Sequence, residues 1–321
     1  MPSSTLDDLA DAYTQVSLIN KRLLDEYEIV GQAFQRQGID CIVLKGADLL
    51  SRLYGMRGTR PLSDVDLLVH EQDLPAIHQL LIETGFTQQI DGNPAYYSSQ
   101  STLSLDLVSN LWYLDEEGLA ALWARARIRP LGQLTVKQLC SDDLLLYLTA
   151  YSVVHRGRLS PSFFTDLRLL MEKEPLGWPT LIEEARRRHL KIPLYHGLRQ
   201  LALSNSTIGI PATVIRQLSP STKAEYILEF LFRRLVTTRP IPELGHFLLW
   251  ITQPPGRRMA WLHRALLPPS LFLTYRYGNE SMDRPWRTRI TRWRQLAQAG
   301  SFLLTRMLIR VVFERPARTI S

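Results

Sequence analysis

The sequence predicts an α+β fold that is followed by an all-helical domain. In the first third of the chain, short apolar runs typical of strands alternate with segments whose apolar residues recur every three or four positions, as in helices. From Asp142 onward only the helical periodicity remains. A chain of 321 residues also exceeds one typical compact core. We therefore predict two domains, residues 1–135 and 136–321.

The elements of the first domain are predicted from periodicity and from the residues that interrupt it. Gly38 and Gly85 each follow a helical pattern and end it, and Gly55–Pro61 is a loop because it holds two glycines and a proline. The predicted order is helix 4–37, strand Cys41–Leu44, helix Ala47–Tyr54, strand Asp64–Val69, helix Glu71–Thr84, and strands Phe86–Ile90, Tyr96–Ser98 and Thr102–Val108. This order favours a mixed sheet with helices packed on it.

The second domain is predicted to be helical and to become strongly basic. Its last two predicted helices, 284–296 and 301–313, are amphipathic. From Leu231 to Ser321 there are 16 arginines and four acidic residues, a balance of +12 in a chain of net charge +7. This segment could bind RNA, nucleotide phosphates, an acidic partner protein or a membrane surface, or its arginine stems could simply cover apolar surface. Four prolines stand where helices would begin: Pro161, Pro179, Pro193 and Pro211.

The composition predicts a globular cytoplasmic protein. Cys41 and Cys140 lie far apart, and no group of cysteines and histidines has zinc-ligand spacing, which fits a reducing compartment. The chain begins without the basic and apolar regions of a secretory signal. The apolar stretch Met307–Phe313 is too short to span a bilayer and is interrupted by Arg310. The sequence contains no Walker A loop, no G-x-G-x-x-G motif after a strand and no H-E-x-x-H motif. The nucleotide-binding and metalloprotease folds that use these motifs are therefore disfavoured.

Two aspartates alternate with apolar residues at the start of one predicted strand. Asp64 and Asp66 therefore share a face, and Asp106, on a later strand, faces away from its leucine neighbours. Carboxylates that hold Mg²⁺ or Mn²⁺ can neutralise a triphosphate, and a third acid would complete a two-metal site and help to deprotonate an attacking hydroxyl. The alternative is that Asp64 and Asp66 form the wet face of an edge strand.

The residues around these aspartates carry a resemblance to a known family. The motif reads K-G…R-x-x-x-D-x-D-L-L-V and resembles the signature of the uncharacterised nucleotidyltransferase family within the DNA polymerase beta superfamily. It is formed by Leu44-Lys45-Gly46-Ala47, Tyr54 and Arg60-Pro61-Leu62-Ser63-Asp64-Val65-Asp66-Leu67-Leu68-Val69. Weaker matches, which extend the resemblance over most of the chain, are His155-Arg156-Gly157-Arg158, Phe164-Thr165-Asp166-Leu167, Leu267-Pro268 and Tyr275-Arg276-Tyr277.

The resemblance implies a polymerase-beta-type sheet, a nucleoside triphosphate as substrate, and Asp64, Asp66 and Asp106 as metal ligands. It places Lys45 and Gly46 at the end of the first strand, facing the triphosphate. Arg60 is then a clamp on the γ-phosphate, a partner of Asp64 or a plain loop charge. His155 and Asp166 would line the cleft opposite the D-x-D strand, or serve as structural partners. The residues predicted to bind the nucleotide are therefore Lys45, Gly46, Arg60, His155 and Asp166.

Two positions depart from the family pattern. Ala47 stands where most enzymes of the superfamily have a phosphate-binding serine, so the phosphates would depend on Lys45 and on backbone N–H groups at the helix start. Val108 stands where relatives tend to carry a histidine, two residues past the third acid. Two functions remain open. The first is an enzyme that transfers NMP to a small molecule, a peptide, a protein hydroxyl or an RNA end; the second is a degenerate module that binds NTP or a partner without catalysis.

Overall fold

The computed structural model describes residues 3–55, 58–91, 93–204, 209–268, 273, 277 and 285–313. The chain divides into two compact units, Met1–Cys140 and Ser141–Ser321. Some residues of the sequence patterns described above lie outside the described residues, namely 56, 57, 275, 276 and 284.

The first unit is a mixed sheet of seven strands with helices packed on it, which confirms the predicted α+β fold. Its strands are β1 (Cys41–Leu44), β2 (Val65–Val69), β3 (Thr87–Asp91), β4 (Asn93–Tyr97), β5 (Ser104–Val108), β6 (Arg127–Leu131) and β7 (Leu134–Gln138). Its helices are α1 (Ser3–Arg36), α2 (Lys45–Arg52), α3 (Leu74–Glu83) and α4 (Glu116–Arg125), with a 3₁₀ turn at Glu71–Asp73 before α3.

Strands β2 and β1 lie in the middle of the sheet. The strand order is β3-β4-β5-β2-β1-β7-β6. Strand β1 pairs antiparallel with β2 and parallel with β7, and β2 pairs parallel with β5. All five residues of β2 are buried, as expected for a strand with a neighbour on each side and both faces covered. The aspartate of this strand therefore lies inside the fold.

Helix α1 is anchored by the apolar residues of its second half. Leu23, Tyr27, Val30 and Phe34 recur every three or four residues and are buried, so they share one face of the helix. Gly38, with a φ of 70°, follows the helix in the left-handed region that favours glycine. The predicted helix over 4–37 is thus confirmed to within a residue at each end.

The sheet contains a hairpin that the sequence did not predict. Strands β6 and β7 pair antiparallel across a turn at Gly132, whose φ is 61°. Strand β6 is an edge strand that carries two arginines and a proline, so it lacks the apolar alternation by which strands are recognised. Helix α4 precedes it and was likewise not predicted. Helix α2 begins at Lys45, two residues before its predicted start at Ala47.

The described residues of the second unit form helices, as predicted. They are α5 (Ser141–Ala150), a π-helical turn (Tyr151–His155), α6 (Pro161–Lys173), α7 (Trp178–Arg187), α8 (Lys191–Ser204), α9 (Ala212–Leu218), α10 (Lys223–Leu235), α11 (Leu244–Thr252), α12 (Pro255–Leu266) and α13 (Pro285–Val312). The prediction of two separate last helices is wrong, because α13 continues through Gly300. The alanines and glutamines around this glycine favour helix enough to carry the chain across it. Within the described part of the chain, no helix combines the length and apolarity needed to cross a membrane.

Helix α11 meets the π-helical turn at a point with no room for a side chain. A Cβ atom added at Gly245 would lie 1.9 Å from the carbonyl oxygen of His155. A backbone atom cannot rotate away as a side chain can, so any larger residue would separate the two elements. Gly245 therefore permits the close packing of α11 in this unit.

We expect Gly245→Ala to destabilise the protein by at least about 2 kcal/mol, because the added methyl group would overlap backbone. Gly256 in α12 provides a matched control, since nothing lies within 4 Å of its Cβ position. Gly256→Ala should instead stabilise by roughly 0.5–1 kcal/mol through helix propensity. Chemical denaturation of both variants measures the two effects. Equal effects from the two substitutions would contradict the close packing at Gly245.

Candidate active site

Three carboxylates converge at the adjoining strands β2 and β5. In the parallel register of these strands, Asp66 lies directly opposite Asp106, and Asp64 immediately precedes β2. The three side chains each offer a carboxylate oxygen within 4.8 Å of the others. The interpretation of Asp64 and Asp66 as the wet face of an edge strand is wrong, because β2 is central and Asp66 is only 6% exposed. The sheet itself forces these acids together.

Lys45 forms an ion pair with Asp66 of this acidic cluster. Its Nζ donates to Oδ1 of Asp66 over 2.5 Å. The pairing follows from the sheet, since Leu44, the last residue of β1, is the antiparallel partner of Asp66. Lys45 has a φ of 45°, a left-handed conformation that costs roughly 1–2 kcal/mol for a residue with a side chain. Backbone strain of this kind is found preferentially at functional sites.

The environment of Asp66 raises the pKa of its carboxyl group to about 6. Burial is the largest cause, because it disfavours the charged form. The charge of Lys45 and its hydrogen bond lower the pKa, while the neighbouring charges of Asp64 and Asp106 raise it. The two effects of Lys45 offset the repulsion from Asp64 and Asp106, so the net rise of the pKa comes from burial of the carboxyl group. A metal ion bound to Asp66 would favour the charged form and offset that cost of burial.

The start of helix α2 packs against the loop that leads into β2. A Cβ atom at Gly46 would lie 2.6 Å from Cδ1 of Leu62 and 3.3 Å from a guanidinium nitrogen of Arg60. Arg60 also lies 5.9 Å from the ring centroid of Tyr54. Glycine at position 46 therefore lets this loop approach the helix closely, and brings Arg60 to the same turn as Lys45.

Asn20 of α1 holds the same loop in place, and the sequence reasoning missed it. Its Nδ2 donates to the carbonyl oxygen of Arg60 over 2.9 Å, and its Oδ1 accepts from the backbone N–H of Leu62 over 2.9 Å. Asn20 is 1% exposed. A signal for it exists in the sequence, because Asn20 falls in the helical series of Val16, Leu23 and Tyr27 as the one polar member. A buried amide in an apolar stripe needs partners, and here they are backbone groups of the site loop.

The donor set fits a divalent metal ion of the magnesium type. Mg²⁺ and Mn²⁺ prefer oxygen ligands and accept one or two carboxylates with positions left for water or phosphate. Three carboxylates have oxygens within 4.8 Å of one another, and one of the three is buried and has a raised pKa. They offer such ligands together with an excess of negative charge. Ser63 adds a hydroxyl that donates to Asp64 over 2.8 Å and helps to fix its orientation.

Ala47 is fully buried in the first turn of α2. Its methyl group supplies no hydroxyl for a phosphate, so the polar groups that this turn can offer are backbone N–H groups and the side chain of Lys45. The N-terminus of a helix carries partial positive charge and binds anions through such N–H groups. The turn thus keeps the means to bind phosphate that does not depend on a serine.

His155 and Asp166 lie in the second unit. His155 is exposed and stacks on Tyr151, with ring centroids 5.1 Å apart, beside a cavity of about 540 Å³ in that unit. Asp166 lies on α6 and is only 5% exposed. The histidine is thus accessible to solvent and the aspartate is buried, and their contact with nucleotide stays a prediction.

A family model described as an uncharacterised nucleotidyltransferase matches residues 1–203. Among solved structures, an antigenic nucleotidyltransferase-like protein from Paracoccidioides brasiliensis is 17% identical with a TM-score of 0.44, over 61% of this chain and 93% of that one. The antibiotic-resistance factor ANT(2'')-Ia is 19% identical with a TM-score of 0.37, over 57% of this chain and 97% of that one. A search of curated proteins gives no significant match.

We expect Asn20→Ala to destabilise the first unit by about 1–3 kcal/mol, because it leaves two backbone groups of the site loop without their partner. Thr14→Ala is the control on the same helix, since the Thr14 hydroxyl bonds to its own helix at an exposed position. That control should change stability by less than about 0.5 kcal/mol. Urea titration gives both values. If Asn20→Ala lowers stability no more than Thr14→Ala does, Asn20 does not hold the loop before β2 in place.

The raised pKa of Asp66 predicts a pH-dependent stability of the metal-free protein. The ordinary value is 3.8 and the folded value is about 6, so folding favours the protonated form. This stabilisation is complete below the ordinary pKa and is lost as pH rises through about 6. With a chelator present, wild type should lose roughly 1 kcal/mol relative to Asp66→Asn between about pH 5 and about pH 8. Thermal unfolding of both proteins as a function of pH tests this. If the stability of both proteins changes equally with pH, the pKa of Asp66 is not raised.

Proposed function

Because the chain belongs to the uncharacterised nucleotidyltransferase family, we propose that it is an active enzyme that transfers NMP from a nucleoside triphosphate to an acceptor hydroxyl or phosphate, with Mg²⁺ or Mn²⁺ as cofactor. The observation that carries the proposal is the convergence of three carboxylates, from two strands and the residue before one of them, beside a lysine at a helix start. Such a cluster is costly without a cation, so it supports a metal-dependent reaction rather than a structural role.

Asp64, Asp66 and Asp106 are the proposed metal ligands. When bound, the metal supplies charge neutralisation for the triphosphate and for the displaced pyrophosphate. The carboxylates fix the position of the α-phosphate relative to the attacking oxygen. Asp106 is half-buried opposite Asp66, and we assign to it the acceptance of the proton from the acceptor hydroxyl.

Lys45, Gly46 and Arg60 are the proposed contacts to the triphosphate. Lys45 provides a positive charge that already borders the acidic cluster, and the first turn of α2 presents backbone N–H groups. The absence of a side chain at Gly46 leaves room for Leu62 and Arg60 against this turn. Arg60 lies next to Gly46 and can donate a bidentate pair of hydrogen bonds to a terminal phosphate.

A second candidate function rests on Ala47. Without a hydroxyl at that position, the site could bind an NTP with no transfer, as a degenerate module that recruits a partner. The two functions differ in one measurable respect, since the module forms a nucleotide complex while the enzyme moves label from the α-phosphate to an acceptor. The strained Lys45 and the intact three-acid cluster favour the enzyme.

We expect transfer from an NTP labelled at the α-phosphate to fall by at least about 10²-fold in Asp64→Ala and in Asp66→Ala, because each removes a metal ligand. Each of the four NTPs is offered with pooled metabolites, protein and tRNA. Asp11→Asn, an exposed acid on α1, should leave transfer unchanged. A chelator should abolish labelling and Mg²⁺ or Mn²⁺ should restore it.

Nucleotide binding without transfer in every pool would select the non-catalytic module. Where tRNA accepts the label, its binding should weaken steeply as salt rises, since phosphate contacts release counterions. Where a small molecule accepts it, salt should have little effect on acceptor affinity. If labelling persists in Asp64→Ala and Asp66→Ala, these carboxylates take no part in the reaction.

A further inference from the structure

Helix α13 combines high positive charge with an exposed apolar face. Residues 285–313 contain six arginines and neither lysine nor an acidic residue. The arginines are Arg287, Arg289, Arg292, Arg294, Arg306 and Arg310. At about 1.5 Å per residue, the 28 residues of the helix extend over roughly 42 Å. The helix lies outside the part of the chain that the family model matches.

Apolar side chains recur along one face of α13 and are turned to solvent. We call this face the α13 stripe, and its members are Trp286, Ile290, Trp293, Leu304, Leu308 and Val312. Successive members lie three or four residues apart, or three turns apart between Trp293 and Leu304, so they share a face. Their exposed fractions run from 38% to 64%. The exposed apolar side chains thus form two groups on one face, one near each end of the helix, and exposed apolar surface of this kind marks an interaction site.

Contacts that α13 makes outside the stripe hold the helix in place and leave the stripe exposed. Leu303 and Met307 are buried, and the guanidinium of Arg310 donates to the carbonyl oxygen of Arg239 over 2.7 Å. Arg234 of α10 donates in turn to the carbonyl oxygen of Val311 over 2.8 Å. These contacts fix the rotation of the helix about its axis. The stripe is therefore presented by the fold and does not depend on fraying of the terminus.

Helix α12 extends the apolar and basic surface next to the stripe. The indole Nε1 of Trp293 donates to the carbonyl oxygen of Leu266 over 2.9 Å. Leu266 and Leu267 are 40% and 44% exposed, so apolar surface continues from Trp293 onto the end of α12. Residues 255–268 add three arginines and no acidic residue. The chemistry of the surface is thus the same on both helices.

We propose that the α13 stripe docks the protein on an anionic lipid surface, with the helix lying in the plane of the membrane interface. Apolar side chains on one face would enter the boundary between headgroups and acyl chains, while the flanking arginines would pair with lipid phosphates. Tryptophan favours that boundary because its ring is apolar and its N–H is polar.

Charge and polarity argue against two other occupants. A second copy of the chain packed on the stripe would bring arginines against arginines, with no acid on either helix to offset their repulsion. RNA would pair with the arginines but would leave most of the apolar stripe in water. An anionic membrane satisfies both the charge and the apolar surface at once.

The test uses the full chain and vesicles of phosphatidylcholine with or without phosphatidylglycerol. Sedimentation should show binding to vesicles that contain phosphatidylglycerol, weak or no binding to phosphatidylcholine alone, and a steep loss with rising salt. Tryptophan emission should shift to the blue on binding. Trp293→Glu with Leu308→Glu should weaken binding by at least about tenfold, because both side chains would carry charge into the apolar boundary.

Matched variants separate the stripe from general surface effects. Ile128→Glu makes the same type of change at a side chain that is 69% exposed on β6, and it should leave vesicle binding unchanged. Arg287→Gln with Arg294→Gln should weaken binding by about tenfold or more, whereas Arg216→Gln with Lys223→Gln, which removes equal charge, should not. Circular dichroism confirms that each variant is folded.

The proposal is overturned if the wild-type protein does not bind phosphatidylglycerol vesicles. It is also overturned if Trp293→Glu with Leu308→Glu binds them as tightly as wild type does. Binding to a single-stranded RNA in place of vesicles, unaffected by Trp293→Glu with Leu308→Glu, would also overturn it. These readouts do not require nucleotidyl transfer, so they stand apart from the proposed catalytic function.

Discussion

The convergence of three carboxylates at strands β2 and β5 is the constraint on which the candidate site depends. The pairing of β2 with β5 sets Asp66 opposite Asp106, so the backbone positions of the two residues cannot separate without breaking strand pairing. The antiparallel pairing of β1 with β2 then delivers Lys45 to the same place. Burial of Asp66 beside these charges raises its pKa to about 6, despite the ion pair with that lysine. The sheet thus holds together charges that would separate in a free chain, and it keeps them available for a cation.

The parts of this site that could be predicted are those with local signals. Alternation around Asp64 and Asp66 indicated a strand with both acids on one face, and the spacing of leucines placed Asp106 on the other side of its own strand. Strand pairing is not a local property, so the register that sets Asp66 opposite Asp106 came only from the structure. The β6–β7 hairpin was missed for the same reason, since its edge strand is identified by its partner and not by its own apolar pattern.

The loop before β2 shows how a distant helix contributes to a site that it does not enter. Asn20 of α1 bonds to both sides of Pro61, through the carbonyl of Arg60 and the N–H of Leu62. Those bonds fix where β2 begins, and Gly46 lets the same loop press against the start of α2. A buried asparagine in a helix is usually taken as a structural detail. Here its partners are the residues that lead directly into the acidic pair.

The short connection between β1 and β2 affects the order in which the site assembles during folding. Lys45 and Asp66 are 21 residues apart along the chain and are joined through a short helix and an antiparallel pair. Asp106 reaches the same place only through a parallel crossover of about twice that separation. Closing the shorter loop costs less chain entropy, and antiparallel neighbours need no long crossover to meet. The lysine and the first two acids can therefore assemble early in folding, with the third acid joining once the remaining strands have added to that seed.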